Sequence, residues 1–66
     1  MIIYVNGEET SCDQGITLEA LVEELGYEKV KIAVEVNGDI VPKAEYEGCV
    51  LGEADKLEVV TFVGGG

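Results

Sequence analysis

Two Asn-Gly pairs, Asn6-Gly7 and Asn37-Gly38, bracket one short amphipathic stretch, and this spacing limits the fold more than any other feature of the chain. Asn-Gly between apolar runs is the strongest short signal for a two-residue hairpin, because both turn positions must tolerate positive φ. Ahead of the first pair, Met1 to Val5 is apolar and β-branched. Alternation places Met1, Ile3 and Val5 on one face and Ile2 and Tyr4 on the other. A second strand follows over about Glu8 to Cys12. Ahead of the second pair, Val30 to Val36 reads as a third strand. Ile40 and Val41 return as a short fourth strand, which Pro42 stops because proline cannot donate to a ladder. Lys43 to Ala54 is mixed and glycine-containing, a loop with one turn of helix around Glu45 to Glu47. Leu57 to Val63 forms the last strand.

The stretch between the hairpins reads as a helix. Gly15 breaks the chain, and Thr17 can cap by accepting a hydrogen bond from an orphan N–H. Glu19 suits the positive end of the helix dipole. Leu18, Leu21, Val22 and Leu25 form one apolar stripe, while Glu19, Glu23 and Glu24 face away. Gly26 ends the helix in a left-handed conformation without a Cβ clash. The order is ββαββ, an α+β fold. Its single stripe is buried by laying the helix across one face of a mixed sheet. With the last strand beside the first, this is the β-grasp of ubiquitin-like proteins; that pairing follows from the fold analogy, since periodicity does not give strand order.

Sixty-six residues make one domain, 1–66, whose core contributes roughly 3–5 kcal/mol of net stability. A chain this small more often presents a surface or a terminus than a catalytic cleft. Fourteen acidic residues face four lysines, and the net charge of −10 disfavours nucleic acid and anionic membrane surfaces. It suits a partner with a basic face, and it also keeps a small protein soluble. Cys12 and Cys49 are too few for a disulfide framework or a four-thiolate site, and there is no histidine to complete a mixed metal site. They read as small buried hydrophobes with free thiols. No signal or membrane-spanning run is visible, so the expected location is the cytoplasm and the expected free state a monomer.

The catalytic inventory is nearly empty. No Ser-His or Cys-His pair exists, no phosphate-cradling loop lies inside the chain, and the helix glutamates lie on a solvated face. What remains is VVTFVGGG, Val59 to Gly66, where a β-branched strand runs directly into three glycines. Residues without a Cβ can thread extended through a narrow channel and deliver a carboxylate into another protein. A flexible tail over 64–66 is the expectation. In the strand before it, Val60 and Phe62 share the outer face with Ile2 and Tyr4 if the first strand lies alongside. Such a patch on a small protein marks an interface.

The segment VEVNGDIVP, Val34 to Pro42, together with VVTFVGGG resembles the ThiS family of thiamine-biosynthesis sulfur carriers. The resemblance covers essentially the whole chain, which carries Gly64 in addition to the family's Gly65-Gly66 pair. It implies a protein cosubstrate rather than an enzyme, with no catalytic residue, metal or bound cofactor of its own. An activating enzyme like ThiF would use ATP and Mg²⁺ to adenylate the Gly66 carboxylate. Sulfur from a cysteine-desulfurase route would then displace AMP and leave a thiocarboxylate for thiazole synthase. Gly64 and Gly65 would thread into the partner, and Ile2, Tyr4, Val60 and Phe62 would be the docking patch. A carrier for another pathway, such as molybdopterin synthesis, and a ubiquitin-like module with an unreactive terminus are the alternatives. A β-grasp iron–sulfur protein is disfavoured, because two cysteines cannot supply four thiolates.

Overall fold

A computed structural model describes residues 1–62. The strands are β1 (Ile2–Val5), β2 (Glu8–Ser11), β3 (Ile32–Val36), β4 (Asp39–Ile40) and β5 (Lys56–Thr61), with helix α1 (Leu18–Glu24) between the two hairpins. They form one five-stranded sheet in the order β2-β1-β5-β3-β4. β1 and β5 run parallel and the other neighbours antiparallel. The first-to-last pairing expected from the fold analogy is therefore present, and the domain is a β-grasp.

Both Asn-Gly pairs make the turns their chemistry suggests. Asn6 and Gly7 have φ of 52° and 83°, and Asn37 and Gly38 have 51° and 88°, positive at both central positions as a type I′ hairpin requires. Thr17 caps α1, its Oγ1 accepting from the Ala20 N–H at 3.2 Å. At the other end the Tyr27 N–H reaches the Val22 carbonyl and the Gly26 N–H the Glu23 carbonyl, both at 3.0 Å. This is a Schellman closure with Gly26 at φ 87°.

Ile3, Val5, Ile32, Val34, Leu57 and Val59 line the inner sheet face, and Leu18, Leu21 and Val22 of α1 are buried with them. Each such side chain stabilises by about 1.5–3 kcal/mol relative to exposure. Leu25 departs from the expected stripe and is 39% exposed. It is the C-cap residue, where the chain leaves the helical screw, and Tyr27 packs against the core instead.

Two segments differ further from expectation. Val30 is exposed in a 3₁₀ turn, Lys29–Lys31, that the Lys31 N–H closes onto the Glu28 carbonyl, so β3 begins at Ile32. The region read as loop contains a 3₁₀ turn, Lys43–Gly48, and contributes Tyr46, a fully buried core side chain. Its hydroxyl lies toward the Val34 backbone without a hydrogen-bond partner of good geometry, and burial pushes its pKa up. The following residues tie back to the start of α1, with the Leu18 N–H donating to the Cys49 carbonyl and the Leu51 N–H to the Ile16 carbonyl.

Candidate functional site at the root of the C-terminal segment

Gly64, Gly65 and Gly66, together with Val63, lie outside the described residues, so the site is built from what surrounds the last described residue, Phe62. Residues on β5 alternate sharply: Leu57 and Val59 are buried, while Lys56, Glu58 and Val60 are exposed. Beyond the strand, the Phe62 N–H still donates to the Lys31 carbonyl at 2.8 Å. The backbone is therefore held to the β3 side up to Phe62.

The opposite side of β5 ends earlier. β1 pairs only through Tyr4↔Lys56 and Val5↔Leu57. Asn6 then extends the pairing with its side chain: Oδ1 accepts from the Val59 N–H at 2.7 Å, and Nδ2 donates to the Val59 carbonyl at 3.2 Å. The carboxamide stands in for one more peptide unit of β1. No further backbone partner on that side exists among the described residues.

This register separates the four residues of the expected patch into two pairs. Tyr4 is level with Lys56, so Val60 stands four residues further along the same strand, about 13 Å away at 3.3 Å per residue. Ile2 is further still. Tyr4 instead lines a shallow groove with Gly7, Lys56, Leu57 and Glu58, and both Tyr4 and Ile2 are half-buried. Val60 pairs with Ala33 across β3, and Ile40 on β4 stands on the same outer face opposite Glu35. The apolar residues nearest the chain's exit are thus Ala33, Val60 and Phe62, with Ile40 on the same face, one strand beyond Ala33 and diagonal to it; Ile40 is 73% and Phe62 52% exposed. Ala33 and Ile40 were not visible as site residues in the sequence, because only the register of three strands places Ala33 beside Val60 and Ile40 diagonal to Ala33.

Charge is unevenly spread around this site. Lys29 and Lys31 lie in the turn leading into β3, level with Phe62, and each is taken by a carboxylate, Glu19 and Glu28 respectively. These hydrogen bonds raise both lysine pKa values, and the one from Lys31 lowers that of Glu28. Lys43 makes no ion pair among the described residues. Its ammonium donates to the Ile32 carbonyl at 2.6 Å and lies 5.5 Å from the centre of the Phe62 ring. On the outer face, Glu35 and Glu58 stand directly opposite each other.

Neither thiol belongs to this site. Burial pushes both thiols up, with Asp55 and Glu45 adding to the effect at Cys49, while the N-terminal ammonium only partly offsets it at Cys12. Thiols so placed are weak nucleophiles. No group of three or more His, Cys, Asp or Glu side chains suited to a metal occurs among the described residues, and no described helix is long and apolar enough to cross a membrane.

A β-grasp sheet in this strand order, covered by one helix, places the domain in the ubiquitin-like class. A model of the ThiS family matches residues 3–66, and the chain belongs to that family. A crystal structure of the thiamine biosynthesis protein ThiS from Geobacter metallireducens superimposes with a TM-score of 0.84 at 25% identity, covering 100% of both chains. Proteins named thiazole synthase from Paramagnetospirillum magneticum and Magnetococcus marinus are 47% and 46% identical over 66 residues. The chain spans only 20% of the length of each. The uncharacterized protein ycf40 of Pyropia yezoensis is 39% identical over 64 residues, covering 97% of this chain and 90% of that one.

Proposed function

We propose that the protein is a sulfur carrier for thiazole formation in thiamine biosynthesis, a protein cosubstrate whose reactive group is the Gly66 carboxylate. The observation that carries this reading is that the family match runs through residue 66, so the glycine run lies inside the matched region. The thiamine biosynthesis neighbour and the relatives named thiazole synthase support the pathway and one partner.

The chemistry requires little from the carrier. A carboxylate is a poor electrophile, because its charge repels nucleophiles and no good leaving group is present. Attack of the Gly66 carboxylate on the α-phosphorus of ATP releases pyrophosphate and leaves an acyl-adenylate, whose AMP is a good leaving group. An activating enzyme similar to ThiF supplies the Mg²⁺ and the positive charge that stabilise the developing phosphate charge. A persulfide sulfur originating from a cysteine desulfurase attacks the acyl carbon and expels AMP, leaving an acyl disulfide. A partner thiolate then cleaves its S–S bond, which releases the thiocarboxylate and leaves a partner disulfide for a cellular thiol reductant to reopen. Thiazole synthase then takes the sulfur. Gly64 and Gly65 provide the narrow reach, and Val60 and Phe62, with Ala33 and Ile40, provide a docking surface. All these partners are cytoplasmic in this reading.

The test is mass spectrometry. Incubation with a cognate activating enzyme, Mg-ATP and a sulfur donor converts the protein to a species heavier by sulfur minus oxygen, with fragments placing the change on Gly66. Deletion of Gly66, or one added residue after it that stays unprocessed, abolishes transfer and leaves the denaturation midpoint unchanged. Sulfur delivery by the extended chain would overturn the carrier reading.

A further inference from the structure

We propose that Lys43 is a positioning residue that aims the Phe62 ring at the partner, by clamping that ring to β3; this rests on the carrier reading above. Two independent contacts define the clamp. The Lys43 ammonium donates to the Ile32 carbonyl at 2.6 Å, and it lies 5.5 Å from the centre of the Phe62 ring, within cation–π range. Phe62 is thereby held twice to the same strand, through its ring by way of Lys43 and through its N–H on the Lys31 carbonyl. On the other side, the last β5 residue with a described partner is Val59, held by Asn6.

The base of the clamp is firm. Lys43 opens the 3₁₀ turn Lys43–Gly48, which Tyr46 anchors in the core with 0% exposure. Lys29 and Lys31 are engaged by Glu19 and Glu28, so neither replaces Lys43 in this role.

The geometry explains why a clamp at this point matters. Phe62 is the last described residue and is 52% exposed, so its ring is free to meet a partner. An activating enzyme must engage this surface before chemistry begins. The ring is not the reacting group, so the clamp acts on capture rather than on the chemical step. Fixing one side chain and the chain direction in advance removes an ordering cost at binding.

The experiment compares Lys43→Met, which keeps the stem and loses the charge, with Lys43→Arg, Phe62→Leu and the Lys43→Met/Phe62→Leu pair. Steady-state adenylation is followed with the cognate activating enzyme and Mg-ATP, and ¹⁵N relaxation is measured on each free protein. Lys43→Met raises KM for the carrier about 3–10-fold with kcat within twofold, as expected for one lost ordering contact. Lys43→Arg restores most of the loss. In free Lys43→Met the order parameter of the Phe62 amide falls while that of Val59 does not change. The double variant is no worse than the worse single, because each single removes the same contact. Additive losses would mean that Lys43 meets the partner directly, and an unchanged KM would mean it aims nothing; either overturns the proposal. If the unaltered protein is not adenylated, the carrier reading fails separately, and unchanged relaxation at Phe62 in free Lys43→Met still overturns the clamp.

Discussion

The two ends of β5 are built on opposite principles. At its start, Lys56 and Leu57 are flanked by β1 on one side and β3 on the other, and polar groups close every gap. Asn37 receives the Lys56 N–H on its Oδ1 and donates to Asp55, while Asp55 accepts from the Gly52 N–H. At its finish, Val60, Thr61 and Phe62 are exposed, β1 no longer runs alongside, and Lys43 and the Lys31–Glu28 pair stand on the β3 side. The start is finished as a folded protein surface should be. The finish leaves apolar area in water. One strand thus joins a closed end to an open one, and Asn6 stands at the junction.

The largest effect expected from breaking this arrangement is at Asn6. Asn6→Ala loses both hydrogen bonds to Val59 and forces a Cβ residue without a helpful side chain into φ 52°. The expected cost is about 2–4 kcal/mol, from two bonds of roughly 0.5–1.5 each and a left-handed penalty of about 1. Against the small net stability of such a domain, this loss is large. Asn6→Gly relaxes the turn and isolates the carboxamide. Urea midpoints that match for Asn6→Gly and the unaltered protein would show that the junction is only a turn.

A sharper comparison sets Phe62→Ala against Tyr4→Ala. Both remove an aromatic ring from the outer face, one at each end of β5. Phe62→Ala lowers affinity for the activating enzyme at least tenfold, as expected for an aromatic anchor, and destabilises the fold by less than about 1 kcal/mol. Tyr4→Ala changes affinity less than threefold. Equal effects on affinity would restore a single patch spanning Ile2, Tyr4, Val60 and Phe62.

Much of this plan was legible in the sequence, for local reasons. Asn6-Gly7, Asn37-Gly38, Thr17 and Gly26 act within a few residues of themselves, and all four hold in the structure. What stayed hidden depends on contacts across the chain. Tyr46 is buried because its turn packs against α1, and nothing in KAEYEG shows a periodicity that predicts this. Ala33 stands beside Val60, and Ile40 diagonal to Ala33, only through the register Ala33↔Val60 and Glu35↔Ile40. The expectation that Ile2 and Tyr4 lie beside Val60 and Phe62 used the right neighbour strand and the right face. It lacked the parallel offset, Tyr4↔Lys56, which moves them to the far end. Face is a local property of a strand; position along the neighbour is not.

The smallest expected effect tests the boundary between the two ends, where Glu58 faces Glu35 across β5 and β3. Like charges directly opposite in an antiparallel pair oppose folding, and neither residue makes an ion pair among the described residues. Glu58→Gln keeps the shape and removes one charge, so it stabilises the fold by about 0.2–0.5 kcal/mol in low salt. Screening shrinks the gain toward zero as salt rises past a Debye length of about 3 Å at 1 M. Glu8→Gln, on an exposed strand residue paired with Val5, serves as the control and changes stability less. The carrier reading adds a second consequence, since the same two carboxylates border the apolar group around Val60. If they meet a basic partner, Glu58→Gln slows association with the activating enzyme in low salt while making the carrier itself more stable. A variant that gains stability and keeps its association rate would leave the repulsion as a plain cost with no docking role. One that gains no stability at low salt would show that the two carboxylates do not repel in the fold, and the two ends of β5 would then differ in exposure and apolar content but not in charge repulsion.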